Sequence, residues 1–194
     1  MLVNETNEYY RRLTLFSKVN RVAVSFHNAN PSLEAMTAID LENDEIISFL
    51  RDLHSADVKY LLVGGFAVAF HGLVRATHDL DLWIKSEEEN LRKLKEILIR
   101  HGVQGLTNAR SFELIPGFTQ FPLGDSGFLI DPMKSLKAFG LYDFDQCYER
   151  AAQGEYKGVS FKVISRGDLL KEKEANNRAK DQGDIEYLRS IDKK

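Results

Sequence analysis

Between Tyr60 and Ile84 the chain reads YLLVGGFAVAFHGLVRATHDLDLWI, and the end of this stretch limits the possible folds most sharply. Asp79-Leu80-Asp81-Leu82 sets two carboxylates one residue apart inside an apolar run. Aspartate is depleted in strands and costly to bury, so the pair demands a purpose. On a strand, side chains two residues apart share a face and lie roughly 6.6 Å apart along it. Asp79 and Asp81 would then project together, while Leu80 and Leu82 face the core. That arrangement suits a divalent cation. Mg²⁺ takes one or two protein carboxylates and completes its shell with water and phosphate oxygens.

The surrounding sequence supplies strands and helices in alternation. Ile46, Ile47, Leu50 and Leu53 fall on one helical face, with Asn43 as the N-cap. Val58 to Val63 is a compact apolar strand. Gly64-Gly65 breaks it, Phe66 to His71 predicts a short buried helix, and Gly72 ends that helix. Asp79 to Ile84 is the second strand. Ser86 and Glu89 have the spacing of a capping box, opening a helix that turns Leu91, Leu94, Ile97 and Leu98 inward. Phe112 to Ile115 and Phe118 to Leu123 read as strands or ordered loops. Gly127 to Asp131 is another strand, stopped by Pro132. Phe144 to Ala151 reads as a short helix. A hairpin turns at Lys157-Gly158, Ser165 caps a helix with Asp168 at its third position, and Gln182 to Ile191 closes the chain as a helix. The pattern predicts one α+β domain over residues 41–194. Residues 1–40 read as an N-terminal extension of uncertain order. Val22, Val24 and Phe26 alternate there as a short strand would.

Composition excludes several classes. With 43% hydrophobic and 28% charged residues, the chain has the balance of a globular protein. A net charge of −3 argues against a dedicated nucleic-acid binder, although Arg92, Lys93, Lys95 and Arg100 would form a local basic edge. The single cysteine, Cys147, cannot form an internal disulfide, which fits a reducing cytoplasm. No apolar run is long enough for a membrane span, and the first residues lack the apolar region of a secretory signal.

Three features carry chemistry together: the Gly64-Gly65 turn, Asp79-x-Asp81 on the following strand, and Asp131 on a later one. Glycines let backbone N–H groups approach a phosphate, and the helix N-terminus behind them favours negative charge. Carboxylates holding metal ions against a nucleoside triphosphate would serve in-line displacement at phosphorus. With the C-terminal run Lys173-x4-Arg178-x-Lys180-Asp181-x2-Asp184, the chain from Asp40 to about Leu188 resembles the minimal nucleotidyltransferases of the DNA polymerase β-like superfamily. Within that group it is similar to the small bacterial proteins related to AbiEii-type toxins.

The resemblance implies a mixed, mostly antiparallel sheet flanked by helices. It implies that Asp79, Asp81 and Asp131 bind Mg²⁺, or Mn²⁺ in its place, and carry catalysis. Asp125 is the nearby alternative to Asp131. Gly64 and Gly65 would contact the triphosphate, and Lys173 would reach its phosphates. Arg75 and Thr77 would contact phosphate or fix the loop. Arg178, Lys180, Asp181 and Asp184 would bind nucleotide or shape the cleft. The substrate would be an NTP, and the acceptor a hydroxyl of tRNA, protein or a small molecule. A non-catalytic nucleotide-binding or interaction module, such as one member of a toxin–antitoxin pair with a cognate antitoxin partner, is the competing reading. A metal-dependent phosphohydrolase explains the glycine turn less well.

Blander readings stand beside these. The Lys173 to Asp184 run has the i,i+4 charge spacing of a solvated helix face, for example Lys180 with Asp184. His71 and Trp83 fit core positions better than ligand or stacking roles, and Cys147 fits a small buried residue.

Overall fold

A computed structural model describes residues 2–30, 32, 39–107, 112, 114, 119–125 and 128–191. Among these, seven α-helices and six strands follow the order α1 (Leu2–Asn28), α2 (Asp44–Ser55), β1 (Tyr60–Leu62), α3 (Gly64–Phe70), β2 (Asp79–Ile84), α4 (Glu88–Arg100), β3 (Phe121–Leu123), β4 (Phe128–Met133), α5 (Phe144–Glu149), β5 (Ala152–Tyr156), β6 (Val159–Val163), α6 (Arg166–Asn176) and α7 (Gln182–Ile191). The strands form one mixed sheet in the order β3-β4-β2-β1-β6-β5. Its antiparallel pairs are β1–β2, β3–β4 and β5–β6, and its parallel pairs are β1–β6 and β2–β4. This is the expected α+β class, with helices flanking a mixed sheet that is antiparallel in the majority of its pairings.

Several local signals act as the sequence suggests. The Asn43 side chain accepts from the backbone N–H of Glu45 at the start of α2, and Ser165 accepts from that of Asp168 at the start of α6. Lys157 and Gly158 both have positive φ, which matches the right-handed twist of the β5–β6 hairpin. Trp83 is fully buried and its indole N–H donates to the Lys134 carbonyl, so it is a core residue. Cys147 is buried too.

The structure corrects three local expectations. Val22, Val24 and Phe26 lie inside α1, so the alternation there marks no strand. The helix buries Leu13, Phe16, Ser17, Asn20 and Val24, which recur at helical spacing, and Leu13 and Phe16 join the same core as the sheet. Second, no capping box forms at Ser86. Helix α4 is capped at Glu87 without a side-chain hydrogen bond, and Glu89 pairs with Arg92 instead. Third, Pro132 does not stop its strand. It pairs in register with Leu82 of β2 on one side, while β3 reaches only as far as Ile130 on the other. A proline, lacking an N–H, is tolerated where a strand has an unpaired side. Phe121–Leu123 forms a strand within the second of the two apolar pieces before residue 124, and residues 113 and 115–118 lie outside the described ones.

Candidate active site

The site is assembled where β1 ends beside β2 and β4. Register places Asp81 directly opposite Asp131 on parallel strands, and Asp79 opposite Leu129. Along β2 the side chains alternate, so Leu80 and Leu82 are buried while Asp79 and Asp81 share the other face. Carboxylate oxygens of Asp79, Asp81 and Asp131 all lie within 4.8 Å of one another. Asp125 is in an exposed loop and its backbone N–H bonds to Glu45, so the strand-borne Asp131 completes the cluster.

Gly64 and Gly65 pack against this cluster. The Val63 N–H donates to the Asp81 carbonyl, which ties the end of β1 to β2. The chain then turns into α3 with Gly64 at φ +59°, and the Gly65 N–H donates to the Asp81 carboxylate. A β-carbon on Gly64 would overlap that carboxylate. One on Gly65 would stand 2.6 Å from the Thr77 hydroxyl. Both glycines therefore answer to close packing within the site, beyond any role toward a phosphate.

Like charges gathered in a poorly solvated place resist ionisation. Burial first, then the Asp79 and Asp131 carboxylates, push Asp81 up to about 7, against the opposing pull of Lys173 and the Gly65 N–H. Burial and Asp79 also raise Asp131, which Gln120 partly offsets by a hydrogen bond. None of the three carboxylates has an ion-pair partner among the described residues.

Three residues of the C-terminal motif, Lys173, Asp181 and Asp184, are buried, so the run is not simply a solvated helix face, while Arg178 and Lys180 are exposed. Lys173 projects from α6, and its ammonium sits 2.9 Å from both Asp181 and Asp184, neither of which is exposed. Asp184 also takes a two-pronged bond from Arg75, at 2.7 and 2.8 Å. Arg178 binds Asp181 at 2.7 Å. Burial alone would raise both aspartates. Arg178 and Lys173 instead draw Asp181 down to about 2, and Arg75 and Lys173 hold Asp184 below its usual value. Lys180 is exposed on the short turn before α7 and does not pair with Asp184, which is taken by Arg75 and Lys173.

A cleft of about 450 Å³ opens onto this cluster. Gly64, Asp81, Asp131, Lys173 and Arg178 line it, with Val63, Met133, Leu136 and Leu169 as its apolar wall. Among the sequence-predicted residues, Gly65, Arg75, Thr77, Asp79, Lys180, Asp181 and Asp184 do not line it. Arg75 and Thr77 act behind the glycine turn: Thr77 donates to Asp79 at 3.1 Å, and Arg75 is anchored by Asp184. Sequence reasoning missed Ser135, Lys137, Glu172 and Asn176, which also line the cleft. The Glu172 carboxylate accepts from the backbone N–H groups of Lys137 and Ala138 and so fixes the loop after β4 against α6. No periodicity or spacing in the sequence signals that contact, made across 34–35 residues.

The remaining candidates settle into ordinary roles. His71 caps α3, lies 2.8 Å from the Ile164 carbonyl, and has its pKa lowered chiefly by burial. On the basic edge of α4, Arg92 pairs with Glu89 and Glu96, and Arg100 with Asp52. No described helix is long and apolar enough to cross a membrane.

No protein-family model matches the chain, and no curated protein matches it significantly.

Proposed function

We propose that the protein is a metal-dependent nucleotidyltransferase that moves a nucleoside monophosphate from an NTP to an acceptor hydroxyl. The observation that carries this reading is the trio Asp79, Asp81 and Asp131, clustered within 4.8 Å with no ion-pair partner among the described residues, at a cleft of nucleotide size. The donor set is all oxygen, as Mg²⁺ or Mn²⁺ prefers, and a divalent ion would offset both the burial and the like-charge repulsion that raise Asp81. Asp79, Asp81 and Asp131 would hold it. When bound, the metal would offset charge on the triphosphate and on the attacking and leaving oxygens.

The chain's own groups divide the remaining work. Gly64 lines the cleft with no side chain in the way, so phosphate oxygens can approach the backbone there. Lys173 and Arg178 face the same space and would complement the phosphates. Lys137, on the exposed loop after β4, adds a further cation to the lining. Val63, Met133, Leu136 and Leu169 offer an apolar seat that excludes water from one side. Asp131, which lines the cleft, would be the group placed to take a proton from the acceptor hydroxyl.

One observation favours the binding-only alternative. Lys173 and Arg178, the cations of the inner wall, are already paired with Asp181 and Asp184. Label transfer from α-³²P-NTPs with Mg²⁺, offered total RNA, cell protein and a small-molecule extract, separates the two. Transfer to one fraction, lost in the Asp79→Asn/Asp81→Asn double variant, is the expected result. Nucleotide bound without transfer to any fraction would favour the binding module, including a member of a toxin–antitoxin pair.

A further inference from the structure

Asn20 sits in the middle of α1 and is fully buried. Its amide is held by two partners of opposite polarity. The Thr77 backbone N–H donates to its Oδ1 at 2.8 Å, and its Nδ2 donates to the Ile39 carbonyl at 3.0 Å. A donor can meet only the amide oxygen and a carbonyl only the amide nitrogen, so the side chain has one orientation. The residue it grips carries the next link. Thr77 is itself buried, and its hydroxyl donates to Oδ1 of Asp79 at 3.1 Å. Two hydrogen bonds in series thus join a helix 57 residues upstream to a carboxylate of the cluster. One turn earlier on α1, the buried Ser17 hydroxyl accepts from the Leu41 N–H at 2.9 Å, so α1 is held to the body by directed polar contacts as well as by its apolar face.

We infer that Asn20 is a positioning residue for Asp79: through Thr77, helix α1 aims the Asp79 carboxylate and thereby tunes the divalent-cation affinity of the site. The inference rests on the metal-binding reading of Asp79, Asp81 and Asp131. An aspartate side chain turns about two bonds, and repulsion from Asp81 and Asp131 drives Asp79 away from the others. The Thr77 hydroxyl occupies one lone pair of Oδ1 and restrains that rotation, leaving the remaining lone pairs for the cation. Asn20 fixes where Thr77 stands, because it bonds to the backbone rather than to the hydroxyl. Hydrogen bonds to a ligating carboxylate of this kind typically change metal affinity by about 10–100-fold when removed.

The test is a Mn²⁺ titration of the full chain followed by EPR of the free ion, with an unfolding midpoint measured for every variant. Asp79→Asn is the control and should lose the site. Thr77→Val keeps the shape, the packing on Gly65 and every backbone hydrogen bond, so it isolates the hydroxyl without threatening the fold. Thr77→Val and Asn20→Ala are each expected to bind Mn²⁺ about tenfold more weakly, and Thr77→Ser to stay near the wild type. An Asn20 with a merely structural role would lower the unfolding midpoint of Asn20→Ala and leave the Mn²⁺ affinity of the folded protein unchanged. That result, or wild-type affinity in Thr77→Val, overturns the inference while leaving the metal site standing. If the wild-type chain shows no Mn²⁺ uptake that depends on Asp79, the metal reading itself fails and takes the inference with it.

Discussion

Gly64 lies so close to Asp81 that a β-carbon on it would overlap the Asp81 carboxylate. The glycine also has φ +59°, where an L side chain is strained. Gly64→Ala should therefore lose about 2 kcal/mol or more in urea unfolding and displace the carboxylate it meets. Gly167 and Gly183 meet nothing within 4 Å, so alanine there is the control and should be neutral or stabilise by about 0.5–1 kcal/mol. Equal effects at all three positions would contradict the close approach.

Asp81 makes metal-free stability depend on pH. Its folded pKa of about 7 lies above the ordinary 3.8, so the folded state holds the proton more tightly. The destabilisation is absent below about 4, grows as pH rises, and is complete above about 7. Asp81→Asn removes it. The variant's melting midpoint, relative to wild type without metal, should rise progressively between pH 4 and pH 7. Adding Mg²⁺ should narrow the gap by stabilising the wild type. A gap constant across that range would show that Asp81 titrates normally.

Asp184 and Arg75 should differ in cost although they form one pair. Asp184→Ala leaves both Arg75 and Lys173 short of a partner, and breaking a buried pair in this way costs about 3–5 kcal/mol. Arg75→Ala leaves Asp184 still bound to Lys173, so a smaller loss of about 1–3 kcal/mol is expected. Urea unfolding of the two variants decides it. Identical losses would mean that Lys173 contributes nothing to holding Asp184.

Helix α1 should behave as part of the core. Phe16 is fully buried and meets Phe66 edge-on with ring centroids 5.7 Å apart, so Phe16→Ala should cost about 3–5 kcal/mol. Phe26, on the same helix, is 78% exposed and should tolerate alanine within about 0.5 kcal/mol. Thermal or urea unfolding that finds Phe16→Ala neutral would show residues 2–28 to be a loosely attached segment.

The helix was misread in the sequence for a definite reason. Its buried face includes Ser17 and Asn20, which a hydropathy pattern counts as exposed, while its outer face carries Leu15, Val22 and Phe26. The helical period is blurred on both sides, and the residual alternation of Val22, Val24 and Phe26 imitates a strand. Asn20 was invisible for the same reason. Its partners, Thr77 and Ile39, are distant in sequence, and a lone asparagine in a polar stretch carries no local signal.

The α4 start shows the opposite error. Ser86 and Glu89 have the spacing of a capping box, but Arg92 captures the Glu89 carboxylate one turn on, and the helix begins beyond the serine. A spacing rule names groups that can meet. It does not rank them against a competing partner.

The sequence alone determined what local geometry decides. Asp79 and Asp81 share a face because strand residues alternate, and Asn43 and Ser165 cap helices through bonds to residues two or three positions away. Only the tertiary structure decided which distant groups complete the site. It set Asp131 beside Asp81 through the parallel pairing of β2 and β4, joined Arg75 to Asp184 across 109 residues, buried Lys173 between two aspartates, and brought Asn20 to Thr77. Backbone geometry acts within a few residues and is written in spacing. Ion pairs and buried hydrogen bonds act within about 3 Å in space, and packing alone determines which residues come that close.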